Sequence, residues 1–320
     1  MASEQRTITH ESTGLRRSVA RLGNSMEKGT KHVVVTLALV AALVVGIYLA
    51  WESAQLYTFE TGFALSERYN MLFHTAVWAF PAAVAVGLIG GALAAINPNP
   101  TLESEGHVER HKAFGAFLEH WTMAVGIVLF AGSYYAIGFL FVPRMVETTT
   151  MAGFGINLHF LGGLFMAFAA SYHVAALIMG AHTDILPRAS DLKNAWADLR
   201  VGQREQTPAG KYRPIQKTMY GIWAVLLIGA MAPAGLRTLP YLFDFAPGYG
   251  IAVTLQGIFV LLITIFAMIH LVFYLLMAGN RPWLSSMGTG WLPRTYAEKY
   301  HSEWLDSLEQ QPLGTEHSSD

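Results

Sequence analysis

Two histidines, His159 and His173, lie inside an apolar stretch, 155–182, that carries no charge from Gly155 through Ala181. About 20 apolar residues suffice to cross roughly 30 Å of hydrocarbon. The fourteen positions between these histidines amount to about 21 Å of helical rise. The same interval returns to within about 40° of its starting direction, so both rings leave the helix by nearly one face. One imidazole then sits in each half of a membrane, where an ionisable side chain marks function by default. Axial ligation of stacked haems is one chemistry that fits this spacing. It needs partner imidazoles from other helices, and the chain offers three candidates: His120, His270 and His74.

The elements that must position these rings are apolar runs. The chain of 320 residues is 53% hydrophobic and only 13% charged, against about 25% charge in soluble domains. Six runs stand out, at roughly 32–51, 70–96, 118–143, 155–182, 216–236 and 250–278. They predict an all-α integral membrane protein, a bundle of six transmembrane helices. The first 31 residues are basic, and the run 33–50 reads as a retained span rather than a signal peptide. Lys and Arg recur in segments 97–117 and 183–215 and in the C-terminal tail, whereas 52–69, 144–154 and 237–249 hold one Arg each. Because Lys and Arg favour the cytoplasmic side, both termini are expected there. The extramembrane segments are expected to be too short to hold a core of their own. Gly87 and Gly91 have the spacing of a close helix contact, although small residues are also simply common in membrane helices. Pro81 and Pro233 are candidate kinks.

On this topology His120, His173 and His270 fall in the cytoplasmic half and His74 and His159 in the outer half. Two layers of imidazoles from different helices are what six-coordinate haem requires. Zinc would want three or four close ligands, and the sequence around His159 and His270 offers no carboxylates. A proton relay or transporter is an alternative from another class, with Glu119 as the acid nearest any span. A haem-free anchor is another. The absence of cysteine excludes disulfides, a Cys-ligated iron–sulfur cluster and covalent c-type haem. A net charge of −1 gives no sign of a nucleic-acid partner.

Three local patterns go further. Glu119-His120-Trp121 opens the third run. Ala209-Gly210-Lys211-Tyr212-Arg213-Pro214-Ile215-Gln216-Lys217 leads into the fifth. Ser286-Met287-Gly288-Thr289-Gly290-Trp291 follows the sixth, and Tyr296-Ala297-Glu298-Lys299-Tyr300-His301-Ser302-Glu303-Trp304 follows that. Together they resemble the cytochrome b (gamma) subunit of respiratory formate dehydrogenases, within a wider family of hydrogenase and thiosulfate reductase membrane subunits.

The resemblance covers about residues 110–306 and implies a four-helix haem-binding core. It divides the chain into a cytoplasmic segment 1–31, two additional helices within 32–98, the family domain 110–306 and a disordered tail 307–320. It implies a haem b subunit in the cell (cytoplasmic) membrane. Such a subunit takes electrons from an iron–sulfur subunit and a molybdenum- or tungsten-containing catalytic subunit, and passes them to quinone. The implied inner haem ligands are His120 and His270, with His173 as a second way to complete that site. The implied outer ligand is His159, opposite a position occupied here by Gln256. His74 enters from outside at a depth matching His159, so it is the expected replacement ligand for a second haem. His182 falls where the family carries polar residues near the quinone.

Overall fold

The computed structural model describes residues 29–55, 72–96, 101, 103–104, 106–138, 145–200, 209–243, 249–276 and 278–310. Among these, six helices are long and apolar enough to cross a membrane: Gly29–Gln55 (α1), Ala79–Ile96 (α3), Ala113–Ile137, Thr149–Ile178 (α5), Pro214–Arg237 and Gly250–Leu276. Their outward side chains are largely Val, Leu and Ile, such as Val128, Ile178, Val225 and Ile251, which is what lipid contact requires. The chain is thus an all-α, multi-pass membrane bundle.

The helix boundaries follow local chemistry. A short helix, Leu72–Thr75 (α2), precedes α3, and a turn at 76–78 separates them. Pro81 has no N–H to offer the Val77 carbonyl, which instead takes the Phe80 N–H at 3.1 Å. The second predicted span is therefore broken one turn before the proline. The third begins earlier than its apolar run, in a kinked turn at Ala113–Phe117, where Phe114 and Gly115 leave helical φ/ψ, that leads into Leu118–Ile137 (α4). It ends at Gly138, whose φ of 100° suits glycine. Thr148 caps α5 by accepting the Met151 N–H at 3.2 Å. The remaining long helices are Pro214–Phe243 (α7) and Tyr249–Leu276 (α8).

Glycine sets how closely α5 meets its neighbours. A Cβ at Gly162 would meet the Phe130 nitrogen at 2.6 Å and the Gly126 carbonyl at 2.8 Å, so α4 and α5 cross backbone to backbone. Gly87 and Gly91 of α3 press likewise against the α5 backbone at Phe168 and Tyr172. The glycine spacing in α3 is therefore a true contact, not a compositional accident. Phe130, Ala131 and Met166 then join Ala230 of α7 with Val260 and Ile263 of α8 in a mid-membrane core.

The expectation of no extramembrane core is corrected. One end of the bundle carries a cap. Strands Glu103–Ser104 (β1), His107–Glu109 (β2) and Trp291–Pro293 (β3) form an antiparallel sheet in the order β1-β2-β3. Helices Ala189–Leu199 (α6), Arg281–Thr289 (α9), Arg294–Tyr300 (α10) and Ser302–Glu309 (α11) complete it. Val108, Trp283, Leu292, Ala297, Trp304 and Leu305 pack there with Met219 and Phe273 from the roots of α7 and α8. The tail expected to be disordered from 307 is helical to Glu309. Residues 1–28 and 311–320 lie outside the described residues.

Candidate functional site

The three sequence patterns that carry the resemblance form one unit at the cap. Trp121 Nε1 donates to the Met287 carbonyl at 2.8 Å. Arg213, fully buried, donates to Asp198 at 2.5 and 2.9 Å and to the Tyr300 carbonyl at 3.0 Å. His301 Nδ1 faces the Gly210 carbonyl at 2.8 Å, and Trp283 Nε1 donates to its Nε2 at 3.2 Å. Arg110 donates to the Lys211 carbonyl at 2.9 Å and to Gln216 at 2.8 Å. The His111 and His301 imidazoles are held well below the usual histidine range, first by burial and then by the Arg110 charge.

Just inside the cap lie His120 of α4 and His270 of α8: Trp121 beside the first bonds Met287, and Tyr274, one turn from the second, packs on Trp283. Among the described residues no hydrogen-bond partner reaches the His120 ring, which rests against Trp121 at 5.5 Å. His270 stacks obliquely on Tyr274 at 4.8 Å, and Trp223 Nε1 reaches its Nδ1 at 3.4 Å. These two imidazoles come from separate helices at one end, and the first has uncommitted nitrogens. Imidazoles are the donor type that axial haem ligation takes, and Trp223 holds the Nδ1 of His270. A ligating histidine carries its proton on the nitrogen away from the metal, and at His270 that proton would face the indole N–H.

His173 is placed differently from its expected role. Its Nδ1 donates to Glu119 at 2.7 Å and its Nε2 bonds the Tyr220 hydroxyl at 2.8 Å. With both nitrogens occupied it presents no lone pair to a metal. It instead joins His182, whose Nε2 lies 3.4 Å from the other Glu119 oxygen, in a chain linking α4, α5 and α7. His182 adopts φ 60° just after α5, and burial lowers its pKa against the raising effect of Glu119. Sequence reasoning found Glu119 but not its pairing, because nothing in the sequence links it to Tyr220.

At the opposite end His159, the expected outer ligand, is engaged by protein groups. His159 Nδ1 donates to the Phe130 carbonyl at 2.9 Å. Its bare Nε2 receives the Gln256 amide at 3.3 Å, and Gln256 in turn accepts from Arg237. Each of these contacts pairs a donor with an acceptor, and Phe130 stacks on the His159 ring at 4.0 Å. The tautomer is the one a ligating histidine adopts, and Gln256 takes its Nε2.

The side chain of His74, the expected replacement ligand, lies outside the described residues, but its helix is docked. The Leu72 N–H donates to Asn157 at 3.0 Å, and Asn157 donates to the Ala50 carbonyl at 3.0 Å. Asn157 precedes His159 by two residues, about 200° round the helix. The face of α5 that meets α2 is thus nearly opposite the one that carries His159 towards Gln256. Asn157 itself, fully buried, was missed by the sequence reading. Its only signal was a lone amide in an apolar run.

Among the described residues no three His, Asp or Glu side chains come together as a metal-ion site. No protein-family model, curated protein or solved structure matches the chain.

Proposed function

We propose that this chain is an electron-transferring membrane subunit of the cytochrome b kind found with respiratory formate dehydrogenases, carrying one haem b between His120 and His270. The observation that carries the reading is that pair of imidazoles, on two helices distant in sequence, with the His120 nitrogens uncommitted. The joining of all three family-like patterns into one cap over that pair supports it. The bound haem would supply one-electron redox chemistry, tuned by its ligands and burial.

The chain's own residues do the positioning. The Gly126/Gly162 crossing fixes the tilt of α4, and the Trp121 bond to Met287 pins the His120 turn to the cap. Tyr274 and Trp223 bracket His270. With a single haem at the cap end, quinone and the iron–sulfur partner of a molybdenum or tungsten enzyme both meet the chain at that end. This differs from the family arrangement, in which the donor docks on the outer face. Loop 183–215 is the most basic of the loops between spans, so the cap end and both termini belong in the cytoplasm, and the membrane is the cell membrane.

A second reading, a histidine proton relay without haem, has one observation in its favour: the hydrogen-bonded chain Glu119, His173, Tyr220, with His182 at 3.4 Å from the free Glu119 oxygen. A reduced-minus-oxidised visible spectrum of the purified chain separates the two. A sharp α-band of low-spin haem b supports the first. A folded protein with no Soret or α-band refutes it and leaves the relay.

A further inference from the structure

Helix α6 is amphipathic with its polarity reversed. Its carboxylates face inward. Asp198 is taken by Arg213 and by the Ile215 N–H at 3.0 Å. Asp191 accepts the Arg188 N–H at 2.8 Å and lies 3.7 Å from Lys217. Leu192 and Trp196, four residues apart and so on one face, point outward with 69% and 66% of their surface exposed. The basic residues of this segment, Arg188, Lys193 and Arg200, are all exposed as well. The Arg200 guanidinium lies over the Trp196 ring at 6.0 Å.

A helix facing water turns its apolar residues in and its carboxylates out. This one does the opposite on a single edge. Viewed down its axis, the buried Asp191, Ala195 and Asp198 define the protein side. Leu192 and Trp196 lie about 100–140° round from it, and Asn194 about 160–200° beyond them. The helix on which α6 packs also exposes apolar residues of the kind that face lipid. The contacts of Asp191 and Asp198 tie α6 to residues 213–217, at the start of α7. The next turns of α7 expose Ile222, Val225 and Ile228. Trp with Leu on one edge and Lys and Arg beside them is the composition of helices that lie in the headgroup layer. With the carboxylates turned away, the outward charge is positive, and anionic headgroups complement it.

We propose that α6 is an interfacial helix that docks on an anionic lipid surface. Leu192 and Trp196 enter the boundary between headgroups and acyl chains, and Arg188, Lys193 and Arg200 hold lipid phosphates. The proposal rests on the membrane-spanning bundle and not on the haem.

The chain has no cysteine, so a single introduced one can carry a nitroxide in the full-length protein. Leu192→Cys, Trp196→Cys and Asn194→Cys are labelled and reconstituted into vesicles. One set is phosphatidylcholine, the other phosphatidylcholine mixed with phosphatidylglycerol. Collision rates with oxygen and with a water-soluble nickel chelate report depth. At 192 and 196 oxygen should exceed nickel severalfold, and at 194 the order should reverse. Immersion at 192 and 196 should deepen with phosphatidylglycerol. That lipid effect should vanish when Arg188, Lys193 and Arg200 are all changed to Gln. Nickel reaching 192 and 196 as readily as 194 overturns the proposal. So does exclusion of both reagents there, which marks a protein partner, or immersion indifferent to phosphatidylglycerol. If the Trp196 variant fails to fold, Leu192 gives the same reading alone.

Discussion

Gln256→Ala tests the polar series that stands where a second haem was expected. Gln256 is 1% exposed. It accepts from Arg237 and faces His159 Nε2 at 3.3 Å. Truncation leaves two polar groups without that partner. Each such loss costs about 1–3 kcal/mol, more for a charged group with no access to water. Arg237 is only partly buried, so water recovers some of its loss, and the net cost is about 2–4 kcal/mol. The assay has two readouts, thermal unfolding in detergent and the haem spectrum. Unfolding should move down by several degrees while haem content stays at the wild-type value. An unchanged midpoint would show that the series does not hold α5 to α8. A loss of haem would put Gln256 beside the cofactor and refute the assignment of the far end as haem-free.

Other outcomes follow from the packing and the cap. Gly162→Ala should destabilise by about 1–3 kcal/mol through overpacking, whereas Gly163→Ala, with open space at its Cβ, should be close to neutral; equal midpoints would contradict the backbone crossing of α4 and α5. Asp198→Asn breaks a pair whose side chains are 3% and 0% exposed and should cost about 3–5 kcal/mol, seen as faster proteolysis of the cap. Burial depresses the native pKa of His111 and of His301. Above about pH 6.5 both states are neutral at these sites and no stability changes with pH. Below it the unfolded chain gains protons that the native one refuses, so stability falls by up to roughly 1.4 kcal/mol per pH unit for each. Unfolding midpoints taken at falling pH check this, and His301→Gln should flatten the slope; a stability that rises below pH 6.5 contradicts the sign.

The spans were legible because an uncharged apolar run of about 20 residues matches the thickness of a bilayer and exceeds what a soluble core helix needs. Their ends were less so. A kinked turn at 113–117 extends the third span into charge-flanked sequence, and the break at 76–78 precedes its proline rather than falling on it. The cap escaped because its strands are two or three residues long, too short for any alternation to register, and part of its core is borrowed from α7 and α8. At the site, the sequence could put His120, His159, His173 and His270 on long apolar helices, since each lies within a span. It could not say what each ring bonds. His159 and His173 share a helix and nearly a face, yet one meets Gln256 and the other Tyr220, residues supplied by helices far along the chain. The reversed polarity of α6 was equally hidden, because Asp198 turns inward only once Arg213 is known to wait there.

Haem stoichiometry in the purified full-length chain tests the central claim most directly. Pyridine haemochrome content per polypeptide is measured for wild type and for His120→Ala, His270→Ala, His159→Ala and His173→Ala, each checked for folding by circular dichroism. The expected result is one haem b in wild type, His159→Ala and His173→Ala, and none in His120→Ala and His270→Ala. A folded wild type without haem contradicts the account, as does a His270→Ala variant that keeps its haem while His159→Ala loses it.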